Sequence, residues 1–134
     1  MKFRASFCDP LKPDIIEIGK VEQNKIMELF ENIPWKEHLE KMKKVDDKDI
    51  YYSPSLEIEN LDNKNGISIS AIDENEWYIF YKRPKRVRKL FGLIETLDNN
   101  YVTEIQGQTT DDVKMFIKAL IKNDLHFLEN KIKD

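Results

Sequence analysis

The sequence predicts a single α+β domain with one mainly antiparallel sheet of about five to seven strands and helices packed on it. Apolar residues alternate with polar ones near the amino terminus and again in the middle of the chain, as in half-buried strands. After each of these stretches the apolar spacing lengthens to that of a helix. The chain has 134 residues, the length of one ordinary domain, and no repeat or linker divides it.

Composition argues against a disordered, membrane-spanning, exported or disulfide-bonded protein. With 40% hydrophobic and 35% charged residues, the chain is too apolar for a disordered segment. No apolar run approaches the roughly 20 residues of a membrane-spanning helix, and the amino terminus lacks a signal-peptide pattern. Because Cys8 is the only cysteine, no internal disulfide is possible. We therefore expect a cytoplasmic protein without cofactors, metals or membrane contact.

The first predicted elements are two strands. Phe3, Ala5 and Phe7 alternate with polar residues, which is the pattern of a half-buried strand. The two prolines of "DPLKPD" end this strand in a loop. The short β-branched segment "IIEIGKV" that follows is predicted to be a second strand that pairs nearby.

A pair of helices comes next, beginning near Glu22. The apolar face of the first helix consists of Ile26, Leu29, Phe30 and Ile33. Pro34 ends that helix and suits the first turn of the next one. The apolar face of the second helix, "PWKEHLEKMKK", consists of Trp35, Leu39 and Met42.

Residues 49–83 are predicted to form a β-meander. The strands "DIYYSPSLEIEN" and "GISISAI" are joined at Asn65-Gly66, a pair that adopts the positive backbone angles of hairpin turns. After the turn "DENE", the strand "WYIFYK" is apolar on both faces, which indicates a central or covered position. Pro54 lacks an amide donor, so the first of these strands is predicted to lie at an edge or to carry a bulge.

Residues 86–97 fit two structures. Their apolar residues match a helical stripe, but Gly92 costs about 1 kcal/mol inside a helix. The segment "DNN" before "YVTEIQG" instead suits a hairpin in which 86–97 is the partner strand, and we favour the strand.

The chain is predicted to end in a helix. Thr109 and Asp112 have the spacing of a capping box. The apolar face that follows consists of Val113, Phe116, Ile117, Leu120 and Ile121. Asn123-Asp124 is predicted to break this helix before a last helical turn or two. The predicted order of elements is β-β-α-α-β-β-β-β-β-α.

Positive charge is concentrated in residues 82–89, which we call the basic strip. Six of the 22 bases and none of the 25 acids lie there, so the rest of the chain holds 16 bases against 25 acids, a balance of −9. Three of the four arginines are in the strip, and arginine is suited to planar contacts with carboxylate or phosphate.

The basic strip has three possible roles. Its charges could prevent edge-to-edge pairing of a sheet, dock a protein of opposite charge, or bind nucleic acid with help from neighbouring aromatic rings. The negative remainder opposes nucleic acid. Residues 77–81 are expected to be core, unless a tyrosine is exposed beside Arg83. The residues predicted to form a binding surface are Arg83, Lys85, Arg86, Arg88, Lys89, Tyr78 and Tyr81.

No catalytic or metal-binding motif is present in the sequence. His38 and His126 each lack a second ligand at metal spacing. Cys8 has the character of a small buried hydrophobe, and the four glycines are too scattered for a phosphate loop. A small enzyme with a carboxylate site is a third hypothesis, for which the sequence does not indicate residues.

In size, acidity and lack of a catalytic constellation, the chain resembles the immunity proteins that neutralise bacterial polymorphic toxins. The resemblance implies a small domain that binds a protein partner. Our leading hypothesis is a non-catalytic protein-binding domain of the immunity or inhibitor kind, which uses the basic strip or the acidic residues Asp46, Asp47 and Asp49. The alternative is a nucleic-acid-binding accessory protein that acts through residues 82–89 and the aromatic residues before them.

Overall fold

The computed structural model describes residues 2–133 and contains one six-stranded antiparallel sheet in the order β2-β1-β3-β4-β5-β6. The strands are β1 (Phe3–Cys8), β2 (Ile16–Val21), β3 (Ser55–Asn60), β4 (Gly66–Asp73), β5 (Glu76–Lys89) and β6 (Ile94–Gln108). The helices are α1 (Ile26–Asn32), α2 (Trp35–Met42), α3 (Thr110–Ile121) and α4 (Leu125–Lys131). The predicted α+β class with its antiparallel sheet is confirmed.

The capping box predicted at the start of α3 is present. The Asp112 amide donates to the Thr109 hydroxyl at 3.2 Å, and the Thr109 amide donates to the Asp112 carboxylate at 2.9 Å. The helix ends near Asn123, and Asp124 caps α4 by accepting from the Phe127 amide. Within residues 2–133, no helix is both long enough and apolar enough to cross a membrane.

The core lies between one face of the sheet and the helices. Alternate strand residues point into it, including Phe3, Ala5, Leu56, Ile58, Ile67, Ile69, Trp77, Ile79 and Tyr81. The helices contribute mainly Ile26, Phe30, Val113, Phe116, Ile117, Leu120 and Leu128. Within residues 2–133 the buried helix residues all pack on this side, and we call the other face of the sheet the open face. The strand register places side chains of neighbouring strands side by side on this face. One such row consists of Ser6, Glu57, Ser68, Phe80 and Glu104.

The prediction that Pro54 marks an edge strand or a bulge is wrong. The strand that follows it, β3, is central and pairs with β1 and β4. Pro54 lies one residue before the first paired residue, Ser55, so the ladder needs no amide from it. Its carbonyl accepts from the Ala71 amide at 3.0 Å. The edges of the sheet are β2 and β6.

The prediction of five strands after the helix pair is also wrong, since there are four. Residues 86–89 and 94–97 are in strands, as favoured, but the hairpin turns at Leu90–Leu93 and not at Asp98–Asn100. Between Arg83 and Lys85 the ladder advances two residues on β5 and three on β6, from Tyr101 to Asp98. The "DNN" segment is therefore a bulge within β6.

The end of the β5–β6 hairpin projects beyond the sheet. On its other side β5 pairs with β4 only as far as Lys82, so the residues that follow have β6 as their one neighbouring strand. We call residues 84–100 the arm. From Arg83 to Lys89 it extends about 20 Å, at roughly 3.3 Å per residue. Four bases and two acids give the arm a charge of +2 and leave −5 on the rest of the chain.

Burial on α3 predicts a sharp contrast between two substitutions on one helix. Ile117 is fully buried and Met115 is half exposed. We expect Ile117→Ala to lower the free energy of unfolding by about 2–5 kcal/mol, because it leaves a cavity in the core. Met115→Ala should change it by less than about 0.5 kcal/mol. Urea denaturation of both variants measures the difference, and equal losses would contradict the position of the core.

Candidate functional site

The arm begins at a buried arginine. Arg83 is only 3% exposed, and its guanidinium donates to both carboxylate oxygens of Glu129 on α4, at 2.8 and 2.9 Å. It also donates to the Tyr81 carbonyl at 3.0 Å and to the Thr103 hydroxyl at 2.7 Å. The rings of Tyr81 and Tyr101 lie 4.2 and 4.7 Å from the guanidinium carbon, within cation–π range. We call Arg83, Glu129 and Thr103 the clamp.

The clamp ties the carboxyl-terminal helix to the root of the arm. The Thr103 hydroxyl donates to the Ile132 carbonyl at 2.7 Å, just beyond the end of α4. Lys85, the first basic residue of the arm, approaches Glu129 to 3.4 Å. The Arg83 hydrogen bonds lower the pKa of Glu129, so the carboxylate is ionised at neutral pH.

Tyr81 belongs to the core next to the clamp. Its hydroxyl donates to the Asn65 side chain, and burial raises the pKa of Tyr81 to about 12, with the Glu129 charge adding to the effect. Tyr81 and Arg83 were both predicted to contact a partner. That prediction needs correction, because neither side chain reaches the surface. They hold the root of the arm in place instead.

The remaining predicted binding residues divide between the two faces of β5. Both register shifts in the β5–β6 ladder add their extra residue to β6, so alternation along β5 continues through Pro84. Lys85 and Lys89 share the side of Arg83. The residues on the open-face side, which we call the open-face stripe, are Tyr78, Phe80, Lys82, Arg86 and Arg88.

Two aromatic rings begin the open-face stripe. Tyr78 and Phe80 stack with ring centroids 4.6 Å apart and planes inclined by 19°. Gln106 donates to the Tyr78 hydroxyl at 3.3 Å, while a hydrogen bond to Glu104 raises the pKa of Tyr78. Both side chains are partly exposed. The prediction that residues 77–81 belong to the core is therefore confirmed for 77, 79 and 81, which are buried, and is wrong for 78 and 80.

A groove of about 540 Å³ lies on the open face beside the stripe. Its floor carries small hydroxyl side chains, and those of Ser55 and Ser70 are hydrogen bonded at 2.7 Å. Phe80 and Lys82 of the stripe lie along it. Cys8 also lines the groove and is buried, as predicted, and burial raises the pKa of its thiol, with the Glu57 charge adding to the effect.

The groove also bears on the carboxylate-enzyme hypothesis, since three glutamates line it. Glu17 pairs with Arg4 at 3.1 Å, Glu59 lies 3.7 Å from Lys82, and Glu57 accepts from the Ser6 hydroxyl at 3.2 Å. Each carboxylate thus has its own neighbour. Within residues 2–133, no group of three or more histidine, cysteine, aspartate or glutamate residues could hold a metal ion.

The two histidines and the acidic cluster lie away from the stripe in sequence. His38 on α2 packs against the Phe7 ring at 5.0 Å, and His126 on α4 contacts Asn130 at 2.8 Å. Asp46, Asp47 and Asp49 are exposed around a 3₁₀ turn after α2. Their use as an alternative docking surface stays a prediction.

Sequence reasoning missed the tip of the arm, residues 90–93. Phe91 is fully exposed, and Leu90 and Leu93 are 63% and 84% exposed. Their backbone turns sharply, with positive φ angles at Leu90, Phe91 and Gly92. The apolar run "LFGLI" around a glycine, directly after a block of charge, was the available signal. The prediction instead places these residues in a strand, with a helical stripe as the alternative.

No family model, no curated protein and no solved structure matches this chain. The likeness to immunity proteins in size and charge therefore stays a prediction from the sequence.

The clamp predicts a specific loss of stability in acid. The folded-state pKa of Glu129 lies below its unfolded value, so its contribution is present above about pH 4.5 and disappears as the pH falls through the folded pKa. At pH 7 we expect Glu129→Gln to lower the free energy of unfolding by about 1–3 kcal/mol, less than for a fully buried pair because the glutamate side chain is 36% exposed.

Denaturation at a series of pH values measures this effect. The difference between the wild type and Glu129→Gln should stay constant from pH 7 to about pH 5 and shrink below about pH 4.5, as the pH falls towards the folded pKa of Glu129. Glu28→Gln on α1 is the matched control, since both side chains of the Lys25–Glu28 ion pair are exposed. A difference for Glu129→Gln that does not vary with pH would contradict the charged clamp.

Proposed function

We propose that this chain is a non-catalytic protein-binding domain that docks on an acidic partner through the open-face stripe. The supporting observation is that one face of β5 carries two stacked aromatics on the sheet and, beyond Lys82 and Pro84, two arginines on the arm. Tyrosine and arginine are the residues that most often dominate binding energy at interfaces. In a cytoplasmic setting, such a domain could act as an inhibitor of the immunity kind.

The dimensions of the stripe fit a protein interface. From Tyr78 to Arg88 it spans ten residues, or about 33 Å of strand. A standard interface covers roughly 800 Å² on each partner, which corresponds to a patch of about that width. The adjoining groove, with its small hydroxyl side chains, leaves room for protruding side chains of the partner.

Charge adds specificity to this surface. The arm carries +2 while the rest of the chain carries −5, so an acidic partner is attracted to one end of the molecule and repelled by the other. Complementary potentials of this kind raise the association rate and suppress wrong partners.

One observation favours nucleic acid as a second candidate. The partly exposed rings of Tyr78 and Phe80 share one face of β5 with Lys82, and a base stacked on an aromatic ring next to a cation is a common mode of single-strand binding. The negative charge on the rest of the chain opposes this function.

Site-specific photo-crosslinking in the native cell tests the protein-binding proposal. A photoreactive phenylalanine analogue in place of Tyr78 should capture one stoichiometric protein. The same analogue in place of Met115, which is exposed on the helical side, should not. Capture that disappears after nuclease treatment would favour the nucleic-acid candidate, and equal capture at both positions would contradict the assignment of the face.

Charge reversal on the arm gives the energetic test with the captured partner. We expect Arg86→Glu with Arg88→Glu to weaken binding by about ten- to a hundredfold, mainly through slower association. The control is Lys43→Glu with Lys44→Glu, an equal change of charge at two exposed lysines after α2. Surface plasmon resonance at two salt concentrations measures both, and an equal effect of the two pairs would show that only net charge matters.

A further inference from the structure

The tip of the arm has a surface that docking through the stripe does not use. Leu90, Phe91 and Leu93 form an apolar cap at the far end of the arm, and all three side chains are mostly exposed. Contiguous exposed apolar residues on a folded protein mark contact sites for proteins or membranes. Cations stand immediately behind the cap, at Arg88 and Lys89.

The backbone of the tip points to a function as well. Leu90 and Phe91 have φ angles of 53° and 59°, in the left-handed region that glycine and asparagine normally occupy. A bulky residue held in this region is unfavourable, and strain of this kind collects at functional sites. Both side chains are mostly exposed, so packing within the chain does little to offset this unfavourable backbone conformation.

The spacing between cap and cations matches the surface layer of a bilayer. Lys89 pairs with Ile94 in the last rung of the hairpin and lies two residues before the apex at Phe91, so the two backbone positions are at most about 7 Å apart. Segments that lie at a membrane interface bury their apolar side chains to a depth of roughly 5–10 Å. At that depth the cations of Lys89 and Arg88 reach the headgroups, and their long stems can extend further along the apolar boundary.

Electrostatics allows the approach to an anionic surface despite the acidic body. The arm extends about 20 Å from the sheet, and charges in physiological salt are screened over about 8 Å. A surface at the tip therefore experiences the +2 of the arm more than the −5 behind it.

We propose that the tip inserts into the surface of an anionic lipid bilayer, with Leu90, Phe91 and Leu93 among the upper acyl chains and Arg88 and Lys89 among the headgroups. The absence of a spanning segment led us to expect no membrane contact, but attachment by a tip requires no spanning helix. The inference rests on the tip, which the proposed function does not use, although Arg88 belongs both to the open-face stripe and to the cations behind the cap.

Vesicle flotation with the full chain tests the proposal. The probes are vesicles of phosphatidylcholine alone and vesicles of equal parts phosphatidylcholine and phosphatidylserine. We expect binding to the anionic vesicles only, weakened by added salt. Phe91→Ser with Leu93→Ser should reduce that binding by about tenfold or more, because apolar insertion is lost. Met115→Ser, at an exposed apolar position on α3, should have no effect.

A fluorescence measurement tests insertion directly. Phe91→Trp should gain a blue-shifted component of tryptophan emission on addition of anionic vesicles, relative to the background emission of the wild type, whose indoles are the buried Trp77 and the partly buried Trp35. Thermal unfolding of each variant confirms that it is folded. Absence of binding, or binding unchanged in the serine variant, would overturn the proposal.

Two further outcomes would also overturn it. If the serine variant alters the sedimentation coefficient of the free protein, the tip is a contact between copies of the chain. If it abolishes capture from position 78 without any vesicle binding by the wild type, the tip belongs to the protein interface. Failure of the stripe variants alone would count against the proposed function and leave membrane insertion intact.

Discussion

The fold depends on how it accommodates one buried arginine. Arginine stays protonated under all ordinary conditions, so enclosing Arg83 requires a counter-charge and acceptors at the same place. Glu129 on α4 supplies the counter-charge, and Thr103 with the Tyr81 carbonyl supplies the other acceptors. The carboxyl-terminal helix is therefore positioned by a polar contact as well as by Leu128 and Ile132 in the core.

The clamp also lies at the boundary between two parts of β5 that have different roles. Up to Arg83, the helix-side residues of β5 are buried and stabilise the domain. Beyond it, the same strand has only β6 beside it and becomes a projecting arm. Because the clamp fixes the root, the stripe and the tip start from a defined position on the sheet. Docking then requires less ordering of the surface at the moment of binding.

Local patterns in the sequence were enough for much of the fold but not for the site. Alternation in β1 and β4 and the capping box at Thr109 are short-range signals, and all were correct. The partner of Arg83 lies 46 residues later in the chain, beyond the reach of periodicity. The turn at Leu90–Leu93 was missed because two of its positive-φ residues are not glycine or asparagine. The prediction of an edge strand at Pro54 was wrong because, in the sequence, a proline just before a strand cannot be told from a proline within it.

Residue-resolved amide exchange of the wild type and Glu129→Gln tests the clamp most directly. In the wild type, amides of α4 and of the core part of β5 should exchange only through global unfolding, while arm amides at 85–89 exchange through local opening. In Glu129→Gln, α4 and the root at Arg83 should change to local opening as well. If the arm is as protected as Ile79, or if α4 loses no more protection than the rest of the domain, the clamp does not hold the arm and helix together.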